Sequence, residues 1–479
     1  MSQDYLPLRK HLYIDGEWVE AGEYRPLLSP YSGETIAEVA FAGAAEVERA
    51  IAAAERAKPL MARMPAHERA AILERLSALL RERAEECAGL IALEAAKPLK
   101  TARQEVDRTI MTYKFAAEEA RRIHGETIPM DAAPGGEGRI AYTIRQPIGV
   151  VAAITPFNFP MNLVAHKVGP AIAAGNTIVL KPAGQTPLTA LLIAELLQEA
   201  GLPAGALNVV TGSGSVIGDL LVQDDRVKAV TFTGSPEVGK AIRQKAGLKK
   251  VTLELGSNSA LIVDQGVDVD AMIARAVTGA FSNAGQVCIS LQRIYVHERL
   301  FDEFVRKFVA QTETLKLGDP LDPATDVSAL ISPRDAERAL QWITEAEQLG
   351  AVVAAGHKRD GHIVHPTILL HVDPGAKVSC QEAFAPVVMI NKVSTMEEAI
   401  REVNASRFGL QAGIYTEDIR TAFAAAEALE VGGVMINDIP TFRVDHMPYG
   451  GVKESGTGRE GVKYAIEDMT ELKLVCFKK

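Results

Sequence analysis

Cysteine is scarce in this chain. Four occur in 479 residues, at positions 87, 288, 380 and 476, and no two form a C-x-x-C pair. Thiols that far apart exclude a disulfide framework and a clustered zinc site, and they suit a reducing, cytoplasmic setting. No metal site is expected. Positive charge is also short: 51 Lys and Arg stand against 61 Asp and Glu, a formal net charge of -10. That balance argues against nucleic acid or an anionic membrane surface as the partner. Long apolar runs are missing; the best, at residues 148–154 and 191–197, fall well short of a membrane span. The first residues, "MSQDYLPLRKHLYIDGEW", carry charges throughout and lack the apolar core of a signal peptide. H-E-x-x-H, the Walker lysine motif and G-x-S-x-G do not occur, which removes the common zinc-protease, phosphate-loop and serine-hydrolase readings. The dinucleotide fingerprint G-x-G-x-x-G is missing too, because "TGSGSVIG" places Gly212, Gly214 and Gly218 with a longer final gap.

What is present is an ordinary globular composition, 47% hydrophobic and 23% charged, in a chain long enough for two or three domains. Residues 44–58 and 65–93 repeat Ala, Leu and Ile with Arg and Glu at helical spacing. "APGGEG" at 133–138 is a turn signal between two stretches, 125–130 and 139–145, that suit a long hairpin. From residue 149 short apolar strands alternate with helices: "GVVAAIT", helix 161–174, "NTIVLKP", helix 187–201, "ALNVVTG", helix 216–222, "VKAVTFTG", helix 236–246, "KKVTLEL". This alternation predicts a parallel, doubly wound sheet. A second set follows: "ALIVD", helix 269–284, "QRIYVH", helix 300–315, then "PVVMINKV", "LQAGIYT" and "GGVMIN" separated by helices 396–404 and 421–429. It predicts a second α/β domain. "TELKLVCF", at 470–477, alternates like a strand at a subunit edge.

In open α/β sheets, ligands bind beyond the carboxyl ends of the strands. Those ends carry Asn158 in "TPFNFP", Lys181 in "KPAGQTP", the turn "TGSGS", Gly234 and Ser235 in "FTGSPEVGK", and Glu254 in "ELGSNS". An amide, a lysine, two Gly/Ser turns and a carboxylate therefore share one sheet edge. The start of the helix after Gly234 and Ser235 offers backbone N–H groups to a pyrophosphate. Glu254 lies in an apolar strand, where a carboxylate is costly unless it is exposed or used. Cys288 stands in "SNAGQVCIS", after an apolar helix. A lone cysteine is most often inert core, so its neighbourhood decides its role.

Seven segments in order, "TPFNFP", "KPAGQTP", "FTGSPEVG", "LELGSNS", "NAGQVCIS", "EAFAPV" and "PYGGVKESGTGREG", make the whole chain resemble the aldehyde dehydrogenase superfamily. The resemblance implies two doubly wound α/β domains and a small β oligomerisation flap. It divides the chain into a cofactor-binding domain (1–124 and 147–255), a catalytic domain (256–447), and an oligomerisation hairpin and terminal strand (125–146 and 462–479). It implies that Cys288 adds to an aldehyde, with the Asn158 amide and the Cys288 N–H as oxyanion hole. Glu254 would then activate water to hydrolyse the thioester. A thiolate, preorganised donors and a carboxylate near an apolar strand end suit those tasks. Lys181 would bind the adenosine ribose, Ser235 the pyrophosphate and Glu382 the nicotinamide ribose, with Phe384 beside it. Thr155, Phe157, Gly184, Gly214, Gly234, Val238 and Leu255 would complete the cofactor site. Phe157 stands where many members have tryptophan.

Departures from the family pattern bear on specificity. Gly184 replaces a glutamate that many NAD-preferring members use to bind the ribose hydroxyls and repel a 2′-phosphate, so use of both NADP and NAD is expected, leaning to NADP. Ser257 and Asn258 replace a frequent Gly-Lys pair. The C-terminal block resembles the branch holding lactaldehyde and non-phosphorylating glyceraldehyde-3-phosphate dehydrogenases. Arg108 and Arg443 match arginines that hold the substrate phosphate in the latter, while Val287 replaces a third. Val287 and Ile289 would flank the substrate. A small hydroxylated or anionic aldehyde, such as lactaldehyde, glycolaldehyde or succinic semialdehyde, is the expected substrate, and a homodimer or homotetramer the expected assembly. A CoA-acylating enzyme is one rival reading, although such members usually lack the base glutamate. A catalytically silent binding protein of the same fold is the other, and it does not account for Cys288, Asn158 and Glu254 together.

Overall fold

The computed structural model describes residues 9–479; the first eight residues of the expected cofactor-binding domain and of the stretch searched for a signal peptide lie outside them. Two doubly wound α/β sheets dominate. In the first, five parallel strands lie in the order Lys250–Glu254, Val227–Thr233, Val150–Ile154, Thr177–Lys181, Leu207–Val209. The strand Val150–Ile154 is buried at every position, because helices cover both faces of a parallel sheet and leave no polar side to alternate. Gly456–Thr457 adds an antiparallel strand at one edge, and Leu12–Ile14 with Glu17–Val19 at the other. Chain order runs outward from Val150–Ile154 through Thr177–Lys181 to Leu207–Val209, then returns to Val227–Thr233 on the other side. The crevice at that reversal lies between the loops bearing Asn158 and Ser235, which is where such sheets take ligands.

The second sheet places Thr367–Leu370, Val387–Val393, Arg293–His297, Ala260–Val263, Gln411–Tyr415 and Gly433–Ile436 in parallel, with Val352–Ala355 antiparallel at its edge. A third sheet joins Thr470–Lys478, Arg139–Pro147 and Thr127–Ile128. Of residues 462–479, the helix Val462–Asp468 packs on helices Leu99–Ala120 and Asn162–Ala173 and puts Val462 and Ile466 in the first domain's core. Only Thr470–Lys478 continues into the third sheet.

Several elements differ from the sequence pattern. Residues 65–93 form two helices, Ala66–Glu82 and Ala84–Ala95, because Arg83 leaves helical geometry at φ -103, ψ 24. Residues 216–222 begin as a wide π turn, Gly214–Gly218, before the helix Asp219–Gln223. The helix expected to reach 284 stops at Phe281, because Asn283, Ala284 and Gly285 turn left-handed at φ 51, 54 and 71. A side chain at Gly285 would overlap the carbonyl of Ala385, so only glycine lets the chain pass there into the Cys288 loop. Helices Leu99–Ala120 and Pro333–Gln348, a small sheet of Arg9–Lys10, Thr35–Ala40 and Tyr24–Leu28, and strands Val352–Ala355 and Thr367–Leu370 had no counterpart in the pattern.

One buried carboxylate ties this scaffold to the Asn158 loop. Glu105, on helix Leu99–Ala120, accepts hydrogen bonds from the N–H groups of Met161 (2.9 Å) and Asn162 (3.1 Å), the start of the helix that follows Asn158. Its other oxygen pairs with the fully buried Lys97, whose ammonium lies 3.7 Å from the centre of the Phe159 ring. Removing one partner of such a pair strands the other charge in the interior, a loss of roughly 3–5 kcal/mol. Glu105→Ala should therefore lower the denaturant midpoint by a corresponding amount, while the exposed-pair control Glu85→Ala should leave it nearly unchanged; equal shifts would contradict this placement.

Candidate active site

The loop after helix Val269–Phe281 brings Cys288 to the strand ends of the first sheet. Asn158 Nδ2 donates to the carbonyl of Gln286 (3.0 Å), and Asn283 Nδ2 reaches that carbonyl at 3.3 Å and the Asn158 carbonyl at 3.4 Å. Gln286 is itself held, its Oε1 accepting from the Ile331 N–H at 2.9 Å. The Asn158 amide, 3% exposed, is thus locked beside the thiol loop and retains a second N–H for another acceptor. Phe159, Met447, Val287, Ile289, Leu410 and Tyr449 pack around Cys288. Val287 and Ile289 are 7% and 3% exposed. The Cys288 Sγ lies 2.9 Å from the Tyr449 hydroxyl. Burial pushes the thiol up to about 11.

Glu254 ends its strand 3% exposed, and among the described residues neither of its carboxylate oxygens has a hydrogen-bond partner. Burial, reinforced by the charge of Glu460, pushes it well above the ordinary carboxylate range; Arg443, Lys167 and Arg459 pull the other way. Glu460 has the opposite environment. Its Oε1 accepts from Lys167 Nζ at 3.1 Å and its Oε2 from Arg443 Nη2 at 2.8 Å. Those two cations overcome burial and hold it well below the carboxylate range. Two neighbouring carboxyls are driven apart: one stays ionised and the other titrates high, the arrangement that produces a base.

Arg108 and Arg443 meet in the same buried network. Arg108 grips Asp445 through both oxygens, at 2.7 and 3.1 Å. Asp445 also accepts from Asn162 Nδ2 (3.1 Å) and lies 2.8 Å from His166 Nε2. Burial opposes its charge, but His166 and Arg108 hold its carboxyl well below the usual range. His166 is pushed down, chiefly by burial and then by Arg443, so it is neutral. Arg443 Nη2 contacts His166 Nε2 at 3.0 Å, while its Nε is buried without a partner. Both arginines are therefore held by protein carboxylates. Three cations, Arg108, Arg443 and Lys167, face the two carboxylates Asp445 and Glu460.

The crevice of the first sheet has the features of a dinucleotide site. Lys181, 5% exposed, donates to the Pro182 carbonyl (2.8 Å), and burial pushes its ammonium down to about 8. A Cβ on Gly214 would lie 3.6 Å from the Lys181 stem, whereas one on Gly184 would meet open space. Thr155 Oγ1 is buried and unpartnered. Ser235 caps helix Pro236–Lys245, accepting from Val238 N–H at 3.4 Å. Gly234 and Gly239 press against Phe232 and Leu255 so closely that a Cβ would collide, and Val238 is half exposed on the helix start. An anion placed there meets the positive end of the helix dipole. Glu382 Oε1 accepts from Ser257 N–H (2.9 Å), and burial pushes its carboxyl up to about 7. Phe384, at φ 46, packs edge-on to Phe157 with centroids 5.7 Å apart. Asn258 is a structural tie: it donates to the Ser379 carbonyl (2.8 Å) and accepts from Ser406 (2.7 Å).

Sequence reasoning singled out neither Tyr449, Gln286, His166, Lys167 nor Glu460. Tyr449 and Glu460 lie inside the quoted "PYGGVKESGTGREG", and Gln286 inside "NAGQVCIS"; the buried Lys167 in an otherwise apolar helix was the missed signal. Among the described residues no cluster of metal-binding side chains occurs, and no helix is long and apolar enough to cross a membrane.

Comparison with known proteins identifies the family. The aldehyde dehydrogenase family matches residues 18–475. A 3-sulfolactaldehyde dehydrogenase of Priestia aryabhattai is 49% identical, over 97% of each chain. A lactaldehyde dehydrogenase of Methanococcus aeolicus is 41% identical, over 97% of this chain and 99% of the other. A crystal structure of a glyceraldehyde-3-phosphate dehydrogenase from Methanocaldococcus jannaschii, complexed with NADP, superposes with a TM-score of 0.92 at 41% identity, covering 96% of this chain and 100% of that one. A whole-chain match of this kind means that this chain belongs to the aldehyde dehydrogenase family and is an NAD(P)-dependent aldehyde dehydrogenase.

Proposed function

We propose that this dehydrogenase oxidises a small 2-hydroxy aldehyde, either lactaldehyde or glycolaldehyde or an anionic counterpart such as 3-sulfolactaldehyde, to the carboxylate. The observation that carries the reaction type is the thiol of Cys288 beside a locked Asn158, with the unpartnered carboxylate of Glu254 within electrostatic reach. Cys288 Sγ adds to the aldehyde carbon. The Asn158 amide and the Cys288 N–H receive the oxyanion, a donor pair in which one member supplies about 3 kcal/mol. A nicotinamide held by Lys181, Ser235 and Glu382 would supply the hydride acceptor for that carbon. A thioester remains, and Glu254 takes a proton from the water that hydrolyses it. Lys181 and Ser235, with the glycines around them, hold the dinucleotide, and Glu382 the ribose nearer the thiol. Domain limits follow the sheets, and the third sheet, which exposes Leu472 and Leu474 on one face and Ile140, Tyr142 and Phe477 on the other, is the proposed contact in a dimer or tetramer.

The substrate class rests on two supports. The substrates named for the three relatives all carry a hydroxyl beside the aldehyde, and two add a sulfonate or phosphate. The cluster of three buried or half-buried cations around two carboxylates favours an added anion, and Arg108, 29% exposed, is the member that reaches the surface.

Three results are expected. Reduced cofactor should form fastest with 2-hydroxy aldehydes and vanish in Cys288→Ser, and Arg108→Gln should raise KM at least about tenfold for 3-sulfolactaldehyde but not for lactaldehyde, one lost ionic contact being worth roughly that much. A preference for succinic semialdehyde, or equal KM changes, would sink the substrate reading. In Glu254→Gln, hydrolysis should slow by about 10²–10⁴, leaving one burst of reduced cofactor and a thioester visible by mass spectrometry. The base acts unprotonated and its pKa is raised, so wild-type hydrolysis should fall away as pH drops through a midpoint above the usual carboxylate value of about 4.3. Finally, Gly184→Glu has room for its side chain and should move the NADP-to-NAD ratio of kcat/KM at least about tenfold toward NAD by charge repulsion; a wild type strictly dependent on NAD would refute the NADP leaning.

A further inference from the structure

Among the described residues, the Tyr449 hydroxyl is the side-chain polar group that hydrogen-bonds the Cys288 sulfur, at 2.9 Å and across 161 residues of sequence. Everything around Tyr449 fixes that hydroxyl. The residue is 2% exposed. Its N–H donates to the Glu460 carbonyl at 3.0 Å, and the Glu460 N–H donates back to its carbonyl at 2.6 Å. The Arg443 guanidinium lies 3.6 Å from the ring centre, where a cation polarises the phenol toward donating. Burial pushes the phenol well above its ordinary value, so the O–H keeps its proton throughout the working range. The thiol is the partner that changes. A neutral S–H is a weak hydrogen-bonding group, while a thiolate makes a charge-assisted bond about twice as strong. The other groups facing the sulfur divide by sign: Arg443 favours the thiolate, and Glu382 and Glu254 oppose it, on top of the larger effect of burial. A thiol buried without compensation is a poor nucleophile.

The geometry points to Tyr449 as a catalytic residue that donates a hydrogen bond to the Cys288 sulfur and stabilises its ionised form before attack. This rests on Cys288 being the nucleophile, as proposed above. The thiol proton leaves to solvent hydroxide, giving water, and the Tyr449 O–H bond stays intact. A sulfur lone pair then forms the S–C bond while the carbonyl π pair moves onto oxygen. Arg443 is a positioning residue, acting through the ring it covers.

The test is the rate at which iodoacetamide alkylates Cys288 in the full-length protein, followed by peptide mass spectrometry across the neutral to alkaline range. Tyr449→Phe removes only the hydroxyl. It is expected to move the alkylation midpoint up by about one pH unit and to slow alkylation at neutral pH roughly tenfold, the size of one charge-assisted bond. A midpoint and rate equal to wild type overturn the proposal. Site-specific 3-fluorotyrosine at position 449 keeps the shape and strengthens the donor, so it should move the midpoint down; no movement, or an upward one, overturns the proposal even if the phenylalanine variant does not fold. Alkylation needs neither aldehyde nor cofactor. A shifted midpoint beside absent turnover upholds the hydrogen bond and overturns the substrate reading, whereas unchanged alkylation beside normal turnover overturns the hydrogen bond alone.

Discussion

Glu460, held between Lys167 and Arg443, is the contact on which the rest of the site depends. It neutralises two buried cations that the interior would otherwise expel. By staying ionised it also raises the cost of a second negative charge at Glu254, whose carboxyl has no hydrogen bond to offset it. Its backbone pins Tyr449 against the thiol, and its arginine partner covers the ring of that tyrosine. One residue thereby adds its charge to the burial that raises the base, and its backbone fixes the strand that carries the phenol.

The network extends outward from there. Glu460 meets Arg443, Arg443 meets His166, His166 meets Asp445, and Asp445 meets Arg108 near the surface. Such a chain is costly to assemble and rigid once every member is satisfied. Within it Arg443 Nε and His166 Nδ1 have no partner among the described residues, and neither do Glu254 and Asn158 Oδ1 nearby. Unpaired buried polar atoms destabilise a fold by about 1–3 kcal/mol each, a cost that the satisfied links of the chain offset.

How much of this was legible in the sequence follows from what each residue depends on. The parallel strands were readable because burial on both faces makes them uniformly apolar, as in Val150–Ile154. Helix Leu99–Ala120 was not, because its inner face carries Glu105, Thr109 and Thr112 among the apolar residues, which blurs the helical period. The N-terminal strands are two to six residues long with exposed positions, too short for alternation to register. Cys288, Asn158 and Glu254 stood out because each sits in a short, unusual segment at a strand end. Tyr449 and Glu460 lay within a quoted segment, yet their roles come from contacts reaching across more than 150 residues, and local pattern carries no trace of such pairings. Gly285 was visible as a glycine, but its necessity appears only once the carbonyl of Ala385 is seen against it.

The strand Gly456–Thr457 closes one edge of the first sheet against Lys250–Glu254, and the helix Val462–Asp468 fills that domain's core. The segment that completes the first domain is therefore made after the whole of the second. During synthesis the early half waits with an open sheet edge and an apolar gap, surfaces prone to association. The second domain, whose strands come from residues 260–436, can pack within its own span. Completion of the earlier domain therefore waits for residues 456–469, which follow the last strand of the later one in the chain.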